Sequence, residues 1–334
     1  MPIDLQNAVV VITGGSSGIG RATAIEFAKH GAQLVLAARS KSNLRETAEE
    51  CEELGADVLV VPADVSDEDQ VERVARKAVR EFGKIDVWVN NAGTALYSRF
   101  EDAPADGYRQ VIETNLFGSI YGARAAIDQF RKHGRGVLIN VSSQLALGGS
   151  PYSSAYAISK YGVRALSDAL RQEFRDTDIQ VCTVYPASTD TPFFQHAANY
   201  TGRALKPLGS IQKPEKVTEA IVRLTQEPKP DTLIGSSGYL SEPLHWIAPS
   251  LHARVMSKKT EKDHFQDKPA PKDDGNVFRP VRFASVHGGW REQSGNKGKI
   301  AGILSIAGAA ASLWILYKRG VLGGERETAG MRAA

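Results

Sequence analysis

The sequence predicts an α/β protein on a doubly wound parallel sheet, a single domain with a C-terminal extension. Three observations carry that expectation. Short runs rich in Val and Ile alternate with amphipathic stretches through the first two-thirds of the 334 residues. The runs are nearly unbroken in apolar residues, as suits strands covered on both faces. A glycine-rich turn, TGGSSGIG at 13–20, joins the first run to the first amphipathic stretch. Alternation of this kind implies right-handed crossovers between neighbouring parallel strands.

The strands are expected at 8–12, 33–37, 57–61, 85–89, 136–141 and 179–184, with a short one near 232–235. Helices are expected at 18–30, 41–54, 67–82, 108–131, 154–175 and 215–226. The second carries Leu44, Ala48, Cys51 and Leu54 at helical spacing. Residues 1–240 make up this body, and ligands in such folds bind at the carboxyl ends of the strands. Residues 241–299 read as an amphipathic segment followed by a polar linker or extended arm. Leu240, Leu244, Ile247, Leu251 and Val255 form a helical stripe there, interrupted by Pro249 and suited to core or dimer packing. Ile300–Tyr317 runs eighteen residues without a charge, with Trp314 and Tyr317 near one end. That length predicts a membrane-spanning helix, although its many Ala and Gly also suit a buried or oligomer-forming one. Residues 318–334 form a short polar tail.

Composition narrows the function. A net charge of +3, with no basic stripe interleaved with aromatics, points away from nucleic acid. Cys51 and Cys182 are the only cysteines, so neither a disulfide framework nor a zinc site is expected. The seven histidines lack ligand spacing, and no bound metal is expected. The N-terminus has no basic flank and apolar run, which predicts a catalytic body in the cytoplasm, anchored to a membrane by the C-terminal helix.

The turn at 13–20 has a strand before it and a helix after it, the context a dinucleotide needs. Gly14 permits the tight turn, Gly18 the approach of backbone N–H groups to a diphosphate, and Gly20 close helix–sheet packing. Thr13, Ser16, Ser17 and Ile19 complete the set of candidate cofactor contacts. The helix start adds unpaired N–H groups and a positive dipole end. At the end of the second strand the chain reads AARSKS at 37–42, with no carboxylate for the ribose hydroxyls. Arg39 there suits a 2′-phosphate, or else a surface ion pair. NADP(H) is therefore expected in preference to NAD(H).

Of ten tyrosines, only Tyr156 has a lysine four residues on, at Lys160. On a helix the two share a face. With TGxxxGIG early and YxxxK past the middle, residues 6–235 resemble the short-chain dehydrogenase/reductase family in its single-domain branch, which has a Rossmann-type fold. The resemblance implies roles for further residues. NNAG at 90–93 (Asn91, Ala92, Gly93) matches the family's motif beside the adenine ribose, and Asp64 its acid against the adenine ring. Asn115 matches the helix asparagine of the proton relay. Ser143, thirteen residues before Tyr156, matches the catalytic serine, with Ser142 the competing choice. Pro186 and Thr191 match the loop that holds the nicotinamide, but Ala187 stands where the family commonly has glycine. Family members usually pair through the helices bearing Asn115 and Tyr156, so a homo-oligomer is implied.

The chemistry expected is interconversion of a carbonyl and a secondary alcohol. Tyr156 is the general acid/base, and the Lys160 ammonium favours its phenolate. Ser143 bonds the substrate oxygen. Phe193, Phe194, Tyr200 and Leu205 in 186–214, with Leu145, Leu147 and Tyr152, lean toward an apolar alcohol or ketone. Two rivals remain. One is a catalytically silent NADP(H)-binding membrane scaffold or sensor. The other is a sugar-nucleotide epimerase, which needs a larger C-terminal domain than the polar stretch after Lys258 supplies.

Overall fold

The computed structural model describes residues 2–235, 244–281 and 283–294. Met1–Trp290 form one compact unit, and of the second unit, Arg291–Ala334, the described residues are 291–294. The expected membrane helix at 300–317 and the tail at 318–334 lie outside the described residues. Among the described residues, no helix is long and apolar enough to cross a membrane.

Seven parallel strands form the central sheet: β1 Val9–Thr13, β2 Gln33–Ala38, β3 Val58–Pro62, β4 Val87–Asn90, β5 Arg135–Val141, β6 Asp178–Pro186 and β7 Asp231–Ile234. Their order is β7-β6-β5-β4-β1-β2-β3. The order reverses between β1 and β4, and there the carboxyl ends of the strands open a crevice. The Val/Ile runs bury both faces: Val9, Val10, Val11 and Ile12 are all fully buried.

Helices α1 Gly18–Lys29, α2 Lys41–Glu52 and α7 Pro214–Gln226 cover one face. There Phe27, Leu44, Cys51, Val217 and Ile221 meet Ile12, Leu34 and Leu36. The other face is covered by α3 Glu68–Phe82, α5 Gly118–His133 and α6 Ser154–Glu173, through Val71, Val74, Ala126, Phe130 and Phe174. Local signals set the limits of these helices. Asp67 caps α3 by accepting from Gln70 N–H, and Gly83 ends it at φ +80°. α4, Ala105–Ile112, runs into α5 through a π-helical turn at Glu113–Phe117, so the helix expected at 108–131 carries an insertion in mid-course.

A buried polar ladder ties α5 and α6 to the sheet. Trp88 Nε1 donates to Asn90 Oδ1 (2.8 Å), and Asn90 Nδ2 donates to Asn140 Oδ1 (2.9 Å) and Ser119 O (3.0 Å). Asn140 Nδ2 in turn donates to Ser167 Oγ (2.9 Å). Gly122 lets α5 come this close: a Cβ there would stand 2.0 Å from Asn90 Oδ1.

The region after 240 differs from the sequence expectation. Pro249 does not interrupt a helix; it starts one, α8 Pro249–Asp263, at the position where its missing N–H costs nothing. The stripe, expected in core or dimer packing, is exposed in this chain at Ile247, Leu251 and Val255. Phe265–Pro269, expected in a linker, forms an antiparallel pair with Arg203–Leu205. Residues 273–281 and 283–290 run back along the body as an arm. Asp273 pairs with Asn199 at one end, and Trp290 is buried at the other.

Candidate active site

The glycine turn leaves β1 at the crevice. Gly14 has φ +66°, and a Cβ on it would lie 2.8 Å from Ala92 Cα. A Cβ on Gly20 would lie 2.1 Å from Gly14 O. Thr13 and Asn91 tie this turn to the end of β4. Thr13 Oγ1 accepts from Asn91 N (3.0 Å) and Ala92 N (3.2 Å), while Asn91 Nδ2 donates to Thr13 O (3.0 Å) and Gly14 O (3.2 Å). Both side chains therefore spend their polar atoms on shaping the turn. Ser17 is the N-cap of α1, in extended conformation, and its side chain makes no capping bond. Gly20→Ala is expected to destabilise the protein by about 1–3 kcal/mol, because its contact is backbone and cannot yield. Urea denaturation measures the loss, and nucleotide affinity should fall with it.

Arg39 extends from the end of β2, and burial lowers its pKa against the pull of Asp64. Asp64 itself accepts from Ser66 N (3.0 Å) and Ser66 Oγ (2.7 Å). On the opposite side, Thr191 is buried and faces the turn, 3.2 Å from where a Gly18 Cβ would be. Pro186 ends β6. Ala187 next to it donates its N–H to Ile234 O (2.9 Å) and keeps an ordinary negative φ, so the loop does not need the glycine that is absent.

α6 brings Tyr156 and Lys160 to the same crevice. Lys160 Nζ lies 5.7 Å from the centre of the Tyr156 ring and donates to Val141 O (2.8 Å). Lys160 is buried, and loss of solvent takes its pKa down to about 8. The neighbouring Ser143 hydroxyl favours the Tyr156 phenolate, yet burial outweighs it and pushes the pKa up to about 12. The lowering expected from Lys160 is thus not what this environment produces, since desolvation of the phenol dominates.

The two serines separate cleanly. Ser142 is buried and donates to Lys160 O (3.0 Å), a structural task within the sheet–helix contact. Ser143 Oγ accepts from Leu145 N (3.2 Å) and faces Tyr156. Asn115 sits in the π-helical turn, fully buried. Its Oδ1 accepts from Thr94 N (2.8 Å), and its Nδ2 donates to Thr94 O and Ser159 Oγ (both 2.9 Å). Gly93 separates Asn115 from Lys160: a Cβ there would lie 3.3 Å from Asn115 Oδ1 and 3.6 Å from Lys160 Nζ. Such turns recur at functional sites because the extra residue re-aims a side chain.

Beyond Tyr156 the lining is aromatic. Phe193 is 5.5 Å from the Tyr156 ring and 5.6 Å from Phe194. Sequence reasoning missed Tyr97, His264 and Phe265, which join Phe194 and Tyr152 here. No local pattern marked them, because two come from the stretch read as a linker. Burial takes the His264 pKa down to about 4 and keeps the ring neutral at physiological pH. Leu147, expected near the substrate, is instead core, against Ala146 and Tyr185.

Comparison with known proteins agrees with this geometry. The short chain dehydrogenase family profile matches residues 8–200. An uncharacterised oxidoreductase of Bacillus subtilis is 34% identical over 279 residues, 82% of this chain and 78% of its own length. The 3-dehydrosphinganine reductase of Danio rerio is 35% identical over 248 residues, covering 72% of this chain and 74% of its own. The alcohol dehydrogenase from the archaeon Thermococcus sibiricus, solved with 5-hydroxy-NADP, superposes with a TM-score of 0.61 at 30% identity. That match covers 69% of this chain and 97% of the other.

The chain belongs to the short-chain dehydrogenase family. It is an oxidoreductase that acts on CH–OH groups with a nicotinamide cofactor. Its residues fit such a cofactor: the turn has no side chain at Gly14, Gly18 or Gly20, and the N-cap residue Ser17 makes no side-chain bond to the helix behind it.

Proposed function

We propose that the protein is an NADP(H)-dependent reductase of a lipophilic ketone, with Tyr156 as the general acid/base. The observation that carries this reading is Tyr156 facing Ser143, one helical turn from buried Lys160, at the crevice edge. The nicotinamide supplies or accepts the hydride. Ser143 holds the substrate oxygen next to the phenol, which gives its proton to the developing alkoxide. Lys160 offsets the negative charge left on Tyr156. Asn115 is a positioning residue that acts through Thr94 and Ser159, its hydrogen-bond partners.

Cofactor contacts are assigned to Ser16, Ser17, Gly18, Ile19, Arg39, Asp64, Ala92, Gly93, Pro186 and Thr191. Arg39, with no acid at 37–42, supports NADP(H). The aromatic lining supports an apolar substrate. Relatives named 3-dehydrosphinganine reductase and 3-oxoacyl-[acyl-carrier-protein] reductase support a ketone. Pairing of α5 and α6 with a second copy is supported by exposed Phe117, Ile158 and Tyr161 on or beside those helices. A membrane tether is supported by the uncharged stretch at 300–317.

The reading is tested by following NADPH absorbance with straight-chain ketones of rising length. Turnover should increase with chain length and run faster with NADPH than with NADH. No oxidation of NADPH by any ketone would favour a silent scaffold. Reduction should hold through neutral pH and decline above about pH 8, because Lys160 then loses the charge that stabilises the Tyr156 phenolate.

A further inference from the structure

The arm uses its backbone on two groups that are assigned to the cofactor, Arg39 and Gly18, and on Arg21 and Asn43 in the neighbouring helices. Arg39 Nη1 donates to Val277 O (3.1 Å), and its Nη2 donates to Asn276 O. Asn43, in the first turn of α2, donates to Val281 O (3.1 Å), and Arg21 donates to Ala284 O (3.2 Å). At the start of α1, Gly18 N–H donates to Ser285 O (2.8 Å). Both ends of the arm are fixed. Val277 is buried among Leu96, Val111, Ala155 and Ala198. Trp290 N–H donates to Asp190 Oδ1 (2.7 Å), and its Nε1 to Thr191 O (3.1 Å).

Arg39 is a half-buried cation whose hydrogen-bond partners are two neutral carbonyl oxygens. Peptide carbonyls are weaker partners for a guanidinium than an anion, which forms charge-assisted, bidentate bonds. The arm holds one N–H on each terminal nitrogen of Arg39, so a phosphate that takes both of these nitrogens displaces it.

We propose that the backbone of Asn276 and Val277 competes with the 2′-phosphate of NADP(H) for Arg39, so that the arm sets the discrimination between NADP(H) and NAD(H). The proposal rests on the assignment of Arg39 to the 2′-phosphate made above. NAD(H) leaves the contact between Arg39 and the arm intact. NADP(H) gains a stronger partner but must first lift two carbonyls, so its advantage is smaller than Arg39 alone would give.

The test uses the full-length protein and two probes, 2′,5′-ADP and 5′-AMP. Hydrogen exchange is read at the Asn276 and Val277 amides, which donate to His196 O (2.7 Å) and Asp274 O (3.0 Å). Saturating 2′,5′-ADP should speed exchange at both amides, and 5′-AMP should not. Val277→Asn, a neutral polar change at the buried end of the arm, should loosen the arm and tighten 2′,5′-ADP by about tenfold, with 5′-AMP changing less than about twofold. Slower exchange with 2′,5′-ADP, or weaker 2′,5′-ADP binding by Val277→Asn, overturns the proposal by making the arm a clamp on the cofactor. Arg39→Gln separates the two failures. Equal binding of both probes, unaffected by that change, removes the NADP(H) assignment and the proposal with it.

Discussion

Tyr156→Phe is expected to lower turnover by about a thousandfold while leaving NADPH affinity within about twofold. The substitution keeps the ring against Phe193 (5.5 Å) and removes one hydroxyl. What disappears is the proton donor that faces Ser143. Neither Ser143 nor Lys160 replaces it. The serine hydroxyl is a far weaker acid, and the amine is already directed at Val141 O. Steady-state kinetics with a reducible ketone, together with NADPH fluorescence titration, checks both halves. Turnover within tenfold of wild type would remove Tyr156 from the proton transfer.

Lys160→Met is expected to change activity and stability in opposite directions. Turnover should fall by about 10²–10³-fold, because no positive charge then offsets the phenolate. Stability should rise by about 1–3 kcal/mol near neutral pH. Methionine fills similar space, and the cost of a charged buried amine disappears. The pH dependence identifies the cause. With the folded pKa down to about 8, the unfolded chain binds more protons from there to the ordinary lysine value of about 10.4. The wild-type handicap is therefore full below pH 8 and fades as pH climbs toward about 10.4. Thermal denaturation of both proteins at pH 7 and pH 10 should show the gap closing. A gap that stays constant would mean that packing, not charge, sets the difference.

The sheet was legible because its strands are buried on both faces, so Val9–Ile12 and Leu34–Ala37 read as unbroken apolar runs. The ends shifted by only a residue or two. The crevice was legible for a related reason: glycine at 14, 18 and 20 and the Tyr156–Lys160 pair are requirements of geometry visible as residue types. The π-helical turn at Asn115 was not legible, since one extra residue in a helix leaves the apolar pattern almost unchanged. The raised pKa of Tyr156 also escaped, because desolvation depends on neighbours from elsewhere in the chain. The arm escaped for a further reason. It binds the body largely through the carbonyls of residues 276, 277, 281, 284 and 285, and a carbonyl is common to every residue type.

Those carbonyls lie between 237 and 267 residues along the chain from the side chains and amide they meet. On the ribosome the groove residues at 18–43 emerge well before the arm, which can close over them only after 276–285 have left the exit tunnel. A newly made molecule therefore passes through an interval in which its nucleotide groove is still bare. Docking of the arm is a late long-range step of its maturation.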